Sequence, residues 1–175
     1  MREIEVKILE IDRRALEAKL RALGAKKTFD GPVDVRMYDT LRGELKKRGI
    51  IFRLRKKGAS GELTVKTDFK RTLRAKTSAE YETNVDFIAT QKMLKVLGYA
   101  ESFRMKKRRI EYVIGSVHFE IDKISGIPWF LEIEAPSEKQ LMIWIKKLGY
   151  KPSDAKSWWW HEVLGHYGHS YKQQR

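Results

Sequence analysis

Hydrophobic and polar positions alternate with a period of two along about eight stretches of this chain, near residues 2–9, 33–40, 50–57, 62–68, 79–86, 106–114, 116–124 and 129–135. That spacing belongs to strands, whose successive side chains face opposite ways. Between them the apolar residues recur at helical intervals. Leu16, Leu20 and Leu23 share a face behind Asp12, a suitable N-cap, and Gly24 ends the segment. A second helix starts at Asp86 or Thr90 and stops at Leu97-Gly98. In a third, Ser137 and Gln140 stand as a capping box ahead of Leu141, Ile145 and Leu148, with Gly149 closing it. A short fourth helix is expected over 157–164. Gly58-Ala59-Ser60-Gly61 turns the third strand into the fourth, and Gly115 the sixth into the seventh. The class is therefore α+β, mainly antiparallel, without an interdomain linker. An echo between Val96-Leu97-Gly98-Tyr99 and Lys147-Leu148-Gly149-Tyr150 suggests two related halves.

Sorting each strand by register separates an ionic side from an oily one. Glu3, Glu5 and Lys7 share a face in the first strand, as do Arg53 and Arg55 in the third, Glu80 and Glu82 in the fifth, and Lys107 and Arg109 in the sixth. Lys66 adds to this face from the fourth, Glu120 and Asp122 from the seventh, and Glu132 and Glu134 from the eighth. The opposite register holds Ile4, Val6, Phe52, Leu54, Leu63, Val65, Ile110, Phe119, Ile121, Leu131 and Ile133. An open sheet with helices on its oily side and water on the other would satisfy this pattern. However, acids and bases occupy separate strands as whole pairs, whereas a face selected for solubility mixes the signs. Curling the sheet with the ionic side inward gives a closed eight-stranded tunnel with acidic and basic walls, its oily exterior covered by helices.

Composition narrows the partner. The 175 residues carry 37 Lys and Arg against 23 Asp and Glu, a net charge of +14, which favours a polyanion. The absence of cysteine excludes disulfides, thiolate metal sites and cysteine nucleophiles. No apolar stretch is long enough for a signal peptide or a membrane span, so a cytoplasmic address and no membrane partner are expected. A lumen with two such walls suits a triphosphate. Forked arginines and point-like lysines hold its oxygens, while the acids, which would repel phosphate directly, need divalent cations as bridges.

The ordered set Glu3-x-Glu5-x-Lys7, Tyr38-Asp39-Thr40, Arg53-Leu54-Arg55, Leu63-Thr64-Val65-Lys66, Glu80-Tyr81-Glu82, Lys107-Arg108-Arg109, Phe119-Glu120-Ile121-Asp122 and Leu131-Glu132-Ile133-Glu134 resembles the CYTH superfamily over nearly the whole chain. These are triphosphate tunnel enzymes, among them class IV adenylyl cyclases, thiamine triphosphatases and inorganic triphosphatases. The resemblance implies a tunnel domain over 1–170 with a tail at 171–175. It implies Glu3, Glu5, Asp122, Glu132 and Glu134 as ligands of Mg²⁺ or Mn²⁺, and Lys7, Arg53, Arg55, Lys66, Lys107 and Arg109 as the phosphate-binding wall. Glu80 and Glu82 match a further acidic pair that binds metal or orients an arginine, and Glu120 is left outside the metal set. Tyr38 and Lys66 match residues that place or deprotonate the attacking water. Lys66 is read equally as a base, its pKa lowered among cations, or as a phosphate ligand.

The activity implied is a metal-dependent triphosphatase acting on tripolyphosphate, ATP or thiamine triphosphate, in a monomer or a homodimer. The alternatives are an adenylyl cyclase making cyclic AMP and pyrophosphate, and a silent binder of polyphosphate, nucleotide or RNA ends. No purine-pocket motif is recognisable, and nothing resembles a nucleic-acid-binding motif. The basic stretch from Phe69 to Lys76 reads as a solvated loop, Trp158-Trp159-Trp160 as a packing anchor, and His161, His166 and His169 as surface residues.

Overall fold

Alternation in the sequence becomes a closed barrel. The computed structural model describes residues 2–72 and 75–169, with only the backbone at residues 2 and 3. In chain order the elements are β1 (Arg2–Ile8), α1 (Arg13–Ala22), β2 (Lys26–Asp39), α2 (Glu44–Lys47), β3 (Ile51–Lys57), β4 (Ser60–Arg71) and β5 (Lys76–Val85). They continue with α3 (Phe87–Val96), β6 (Ala100–Ile114), β7 (Val117–Ile124), β8 (Phe130–Glu134), α4 (Glu138–Lys147), β9 (Ala155–Lys156) and α5 (Trp160–His166). The strands pair in the order β5-β4-β3-β2-β6-β7-β8-β1-β9, and a further pairing of β5 with β1 closes the ring. Closure works because β1 is shared. Its residues Arg2 to Glu5 face β5, while Lys7 and Ile8 meet β9 on that same edge.

The oily register lies outside the barrel, and the helices cover it. Leu16 and Leu20 of α1, with Leu141 and Ile145 of α4, pack on Val6, Ile8, Ile110, Phe119, Ile121, Leu131 and Ile133. Leu94 of α3 joins Phe87, Leu54 and Tyr38 in a smaller cluster elsewhere on the wall. Asp12, Asp86 and Ser137 cap α1, α3 and α4 through their side chains, as their sequence positions predict. Helices α3 and α4 end alike, with the amide of Tyr99 donating to Leu94 and that of Tyr150 to Ile145. The sequence echo is this shared way of ending a helix.

Several details depart from the sequence expectations. Helix α2 is short and lacks apolar periodicity; Asp39 organises it, its carboxylate accepting from the amides of Thr40, Leu45 and Lys46. Ser60 and Gly61 belong to β4 rather than to the turn, since Ser60 pairs with Lys57 and Gly61 with Lys56 and Val85, and a Cβ on Gly61 would lie 2.6 Å from the Val85 carbonyl oxygen. The fourth helix starts later than expected, at Trp160. The tail at 171–175 lies outside the described residues.

Candidate active site

The strand order gathers like charges. Neighbouring strands β7, β8, β1 and β5 supply Glu120, Asp122, Glu132, Glu134, Glu5, Glu80 and Glu82, and β4, β3 and β6 supply Lys66, Arg53, Arg55, Lys107 and Arg109, with β4 beside β5 and β6 beside β7. Apart from Asp122, which is fully buried and held by Arg109 and Lys107, these side chains line a cavity of about 460 Å³ that Lys7, Lys76, Phe69, Trp159 and Trp160 also line. Glu3 pairs with Ser78 through its backbone, and its side chain lies outside the described residues. The remaining metal and phosphate candidates converge as the register requires.

At the centre, Arg109 donates to Asp122 through Nε at 2.8 Å and a terminal nitrogen at 2.6 Å, while Lys107 reaches the same carboxylate at 2.7 Å. Arg109 also pairs with Glu120. Lys7 bridges Glu5 at 2.9 Å and Glu132 at 2.8 Å. In the neighbouring sector, Glu80 takes Arg53 at 3.1 Å and Lys66 at 3.0 Å, and Arg55 lies between Glu62 at 2.6 Å and Glu82 at 3.2 Å. Glu80 and Glu82 each pair with an arginine of the wall.

Buried charge sets the ionisation. Burial works against the charged form of Glu5, yet Lys7, Lys76 and Lys66 outweigh it and hold this carboxyl well below the usual range. Burial likewise opposes Glu132, and Lys7, Lys107 and Arg109 overcome it. Glu120 behaves oppositely: burial, reinforced by Glu132 and Asp122, pushes its pKa up to about 7, because Arg109 is shared with Asp122 and cannot neutralise both. Burial brings Lys76 down to about 8, with Glu5 only partly restoring it.

Glu5, Glu132 and Glu134 can each turn a ligand oxygen to within 4.8 Å of the others, and so can Glu120, Asp122 and Glu132. Oxygen-only donors suit a hard divalent cation such as Mg²⁺ or Mn²⁺. Among the described residues, neither candidate group contains a histidine.

Three residues correct the sequence reading. Tyr38 lies outside the tunnel. It pairs with Phe52 across β2 and β3 and packs with Leu54, Phe87 and Leu94, whereas its neighbour Met37 faces the lumen. The period of two makes this unavoidable once Arg53 opposite Met37 points inward, so Tyr38 and Lys66 do not form a pair. Glu120 belongs with the acidic cluster, as its register already signalled. Lys76, assigned to a solvated loop, is 5% exposed and directed at Glu5. A bulge between Thr67 and Lys70, with Asp68 at a φ of 53°, interrupts the ladder beside Phe69. Trp159 and Trp160 meet the tunnel end, where Phe69 packs edge-on against Trp159 and Phe103 stacks on Trp160.

A family model for the CYTH domain matches residues 1–148. The chain belongs to the CYTH family. Solved structures agree on the fold. A candidate adenylate cyclase from Vibrio parahaemolyticus superposes with a TM-score of 0.80 at 19% identity, covering 93% of this chain and 97% of the other. The PH1012 protein of Pyrococcus horikoshii gives 0.73 at 25% identity over 92% and 98%. A candidate adenylyl cyclase from Hippeastrum, whose dominant activity is that of a triphosphatase, gives 0.70 at 16% identity over 96% and 97%. No curated protein matches. Among the described residues, no helix is long and apolar enough to cross a membrane.

Proposed function

We propose that this CYTH protein is a metal-dependent triphosphatase. The observation that carries the reading is the closed ring, which gathers carboxylates mainly from β1, β5, β7 and β8 and cations mainly from β3, β4 and β6 around one cavity. Arg53, Arg55, Lys66, Lys107 and Arg109 bind and orient the phosphoryl oxygens. Lys7 holds Glu5 and Glu132 in place, and the two glutamates with Glu134, Asp122 and Glu120 hold Mg²⁺ or Mn²⁺. When bound, the cation supplies Lewis acidity toward the phosphoryl oxygens and toward water.

Water attacks the terminal phosphorus, the bond from that phosphorus to the bridging oxygen breaks, and a proton passes to solvent, giving orthophosphate and the shortened phosphate. Phosphoryl transfer of this kind is accelerated chiefly by positioning and charge neutralisation, which fixed arginines supply. Lys66 serves as a phosphate ligand held by Glu80, since its expected partner in water activation, Tyr38, lies on the other side of the wall.

The test is incubation with tripolyphosphate, ATP and thiamine triphosphate, each with Mg²⁺ or Mn²⁺, followed by chromatography. Metal-dependent orthophosphate release is expected. Cyclic AMP with pyrophosphate would replace this reading by a cyclase, and metal-dependent binding without products by a silent binder.

A further inference from the structure

Glu5 carries a second ammonium group that the proposed chemistry does not use. Strand register sets Lys76, the first residue of β5, directly opposite Glu5. Its Nζ pairs with Oε1 of Glu5, the same oxygen that Lys7 takes at 2.9 Å. The two lysines are held differently. Lys7 is clamped between Glu5 and Glu132, whereas Lys76 reaches from Glu5 toward the C-terminal segment, its Nζ lying 4.3 Å from the centre of the Trp159 ring. That ring is itself fixed: Phe69 packs edge-on against it, Arg71 lies over it, and Glu162, which accepts from the Trp159 amide at 2.7 Å, pairs with Arg71.

Glu5 also belongs to the group formed with Glu132 and Glu134. A divalent cation there and the Lys76 ammonium are like charges on one carboxylate, so each weakens the other's hold. The indole face of Trp159, over which the ammonium already lies, can keep it once Glu5 turns to the metal.

We propose that Lys76 is the resident counter-cation of Glu5, giving way to the divalent metal when the site loads and then held by the Trp159 face it already overlies, so that metal occupancy is felt at the C-terminal segment. The inference rests on the metal site of the proposed function but not on turnover. Lys76 is here a positioning residue: it keeps Glu5 ionised and in place without the metal, and gives it up to the metal.

The experiment is calorimetric titration of the full chain with Mn²⁺, without any phosphate compound. Lys76→Met should bind Mn²⁺ tighter than the wild type by on the order of tenfold, within the usual range of coupling between two sites. Lys76→Arg, which keeps the charge, should not gain. Equal or weaker binding by Lys76→Met, or an equal gain in both variants, would overturn the exchange. A second readout leaves Lys76 intact: Mg²⁺ should change the tryptophan emission of the wild type, and Trp159→Phe should abolish that change while still binding Mg²⁺. Mg²⁺ binding without a Trp159-dependent signal would also sink the proposal. Tripolyphosphate turnover is scored separately, so that an inactive protein with the expected metal and fluorescence behaviour counts against the triphosphatase and not against Lys76.

Discussion

The sector of the tunnel made by β1, β6, β7 and β8 differs from the one made by β3, β4 and β5, although both place charge on the inside. In the first, Lys7, Arg109 and Asp122 are at most 2% exposed, and α1 and α4 cover a large apolar cluster behind them. In the second, the side chains of Arg53 and Glu80 are 15% and 18% exposed and that of Glu82 reaches 38%, above the smaller cluster beneath α3. The deep sector holds both candidate metal groups, while the shallow one holds arginines in pairs with glutamates. On the proposed function, the first sector would hold the metal together with the inner phosphate ligands Lys107 and Arg109, and the second, more open to water, would capture phosphate through Arg53, Arg55 and Lys66.

The most forceful way to break this comparison is to remove the cation at the centre of the deep sector. Arg109→Met leaves Asp122 and Glu120 buried with only Lys107 and any bound metal to balance them. Removing one partner of a buried pair costs about 3–5 kcal/mol, and urea denaturation should show a loss of that size, partly recovered with Mg²⁺. A loss below about 1 kcal/mol would mean that the sector is wetter than its burial implies.

Next in size is the metal site. Glu5→Gln keeps the shape of the side chain but removes a ligand charge, so the Mn²⁺ concentration for half-maximal turnover should rise by roughly ten- to a hundredfold, the scale seen when a group supporting a metal site is lost. An unchanged metal titration would remove Glu5 from the site, and with it the role assigned to Lys76.

Protons give a smaller effect whose size differs between the metal-free and the metal-loaded protein. Burial raises Glu120 from an ordinary 4.5 to about 7, so between those values the folded, metal-free chain keeps a proton that the unfolded chain loses. The contribution of this group to stability is fully present below 4.5 and gone above about 7. Asp122, Glu5 and Glu132 are shifted downward, and their contributions fade at lower pH instead. Metal-free protein should therefore lose stability as pH rises through the Glu120 window. With saturating Mg²⁺, which favours the carboxylate, the slope should flatten. Denaturation midpoints at several pH values with and without Mg²⁺ check both, and a flat metal-free profile would mean that Arg109 neutralises Glu120 after all.

How far the sequence carried depends on which physical rule set each feature. Register follows from a period of two, so the inward direction of Glu5, Lys7, Arg53, Arg55, Lys66, Lys107, Arg109, Glu132 and Glu134 is legible in the sequence, as are the helix caps at Asp12, Asp86 and Ser137, while Asp122 shares that register but is sealed behind Arg109 and Lys107. The same rule, applied strictly, turns Tyr38 outward, where resemblance to a motif overrode it; it already put Glu120 on the inward face, and only its place among the metal candidates was withheld. Lys76 was different. Its assignment needed to know that β5 begins there and closes on β1, a pairing of residues far apart in the chain that no local pattern encodes. Helix α2 was missed for a related reason, since the carboxylate of Asp39 rather than an apolar face defines it.

The finest test compares the sectors through a lysine that each reading treats differently. Lys66→Arg keeps the positive charge beside Glu80 but carries a guanidinium that stays protonated up to about pH 12. If Lys66 only holds phosphate, as its 3.0 Å pairing with Glu80 and the distance of Tyr38 from the lumen favour, the maximal rate should stay within about threefold of wild type, with the change falling mainly on KM. A general base would cost roughly a hundredfold or more in the maximal rate. Steady-state kinetics on tripolyphosphate at saturating Mn²⁺ separates the two. A loss of the larger size would move proton transfer into the shallow sector and end the division of labour between the two sides of the tunnel.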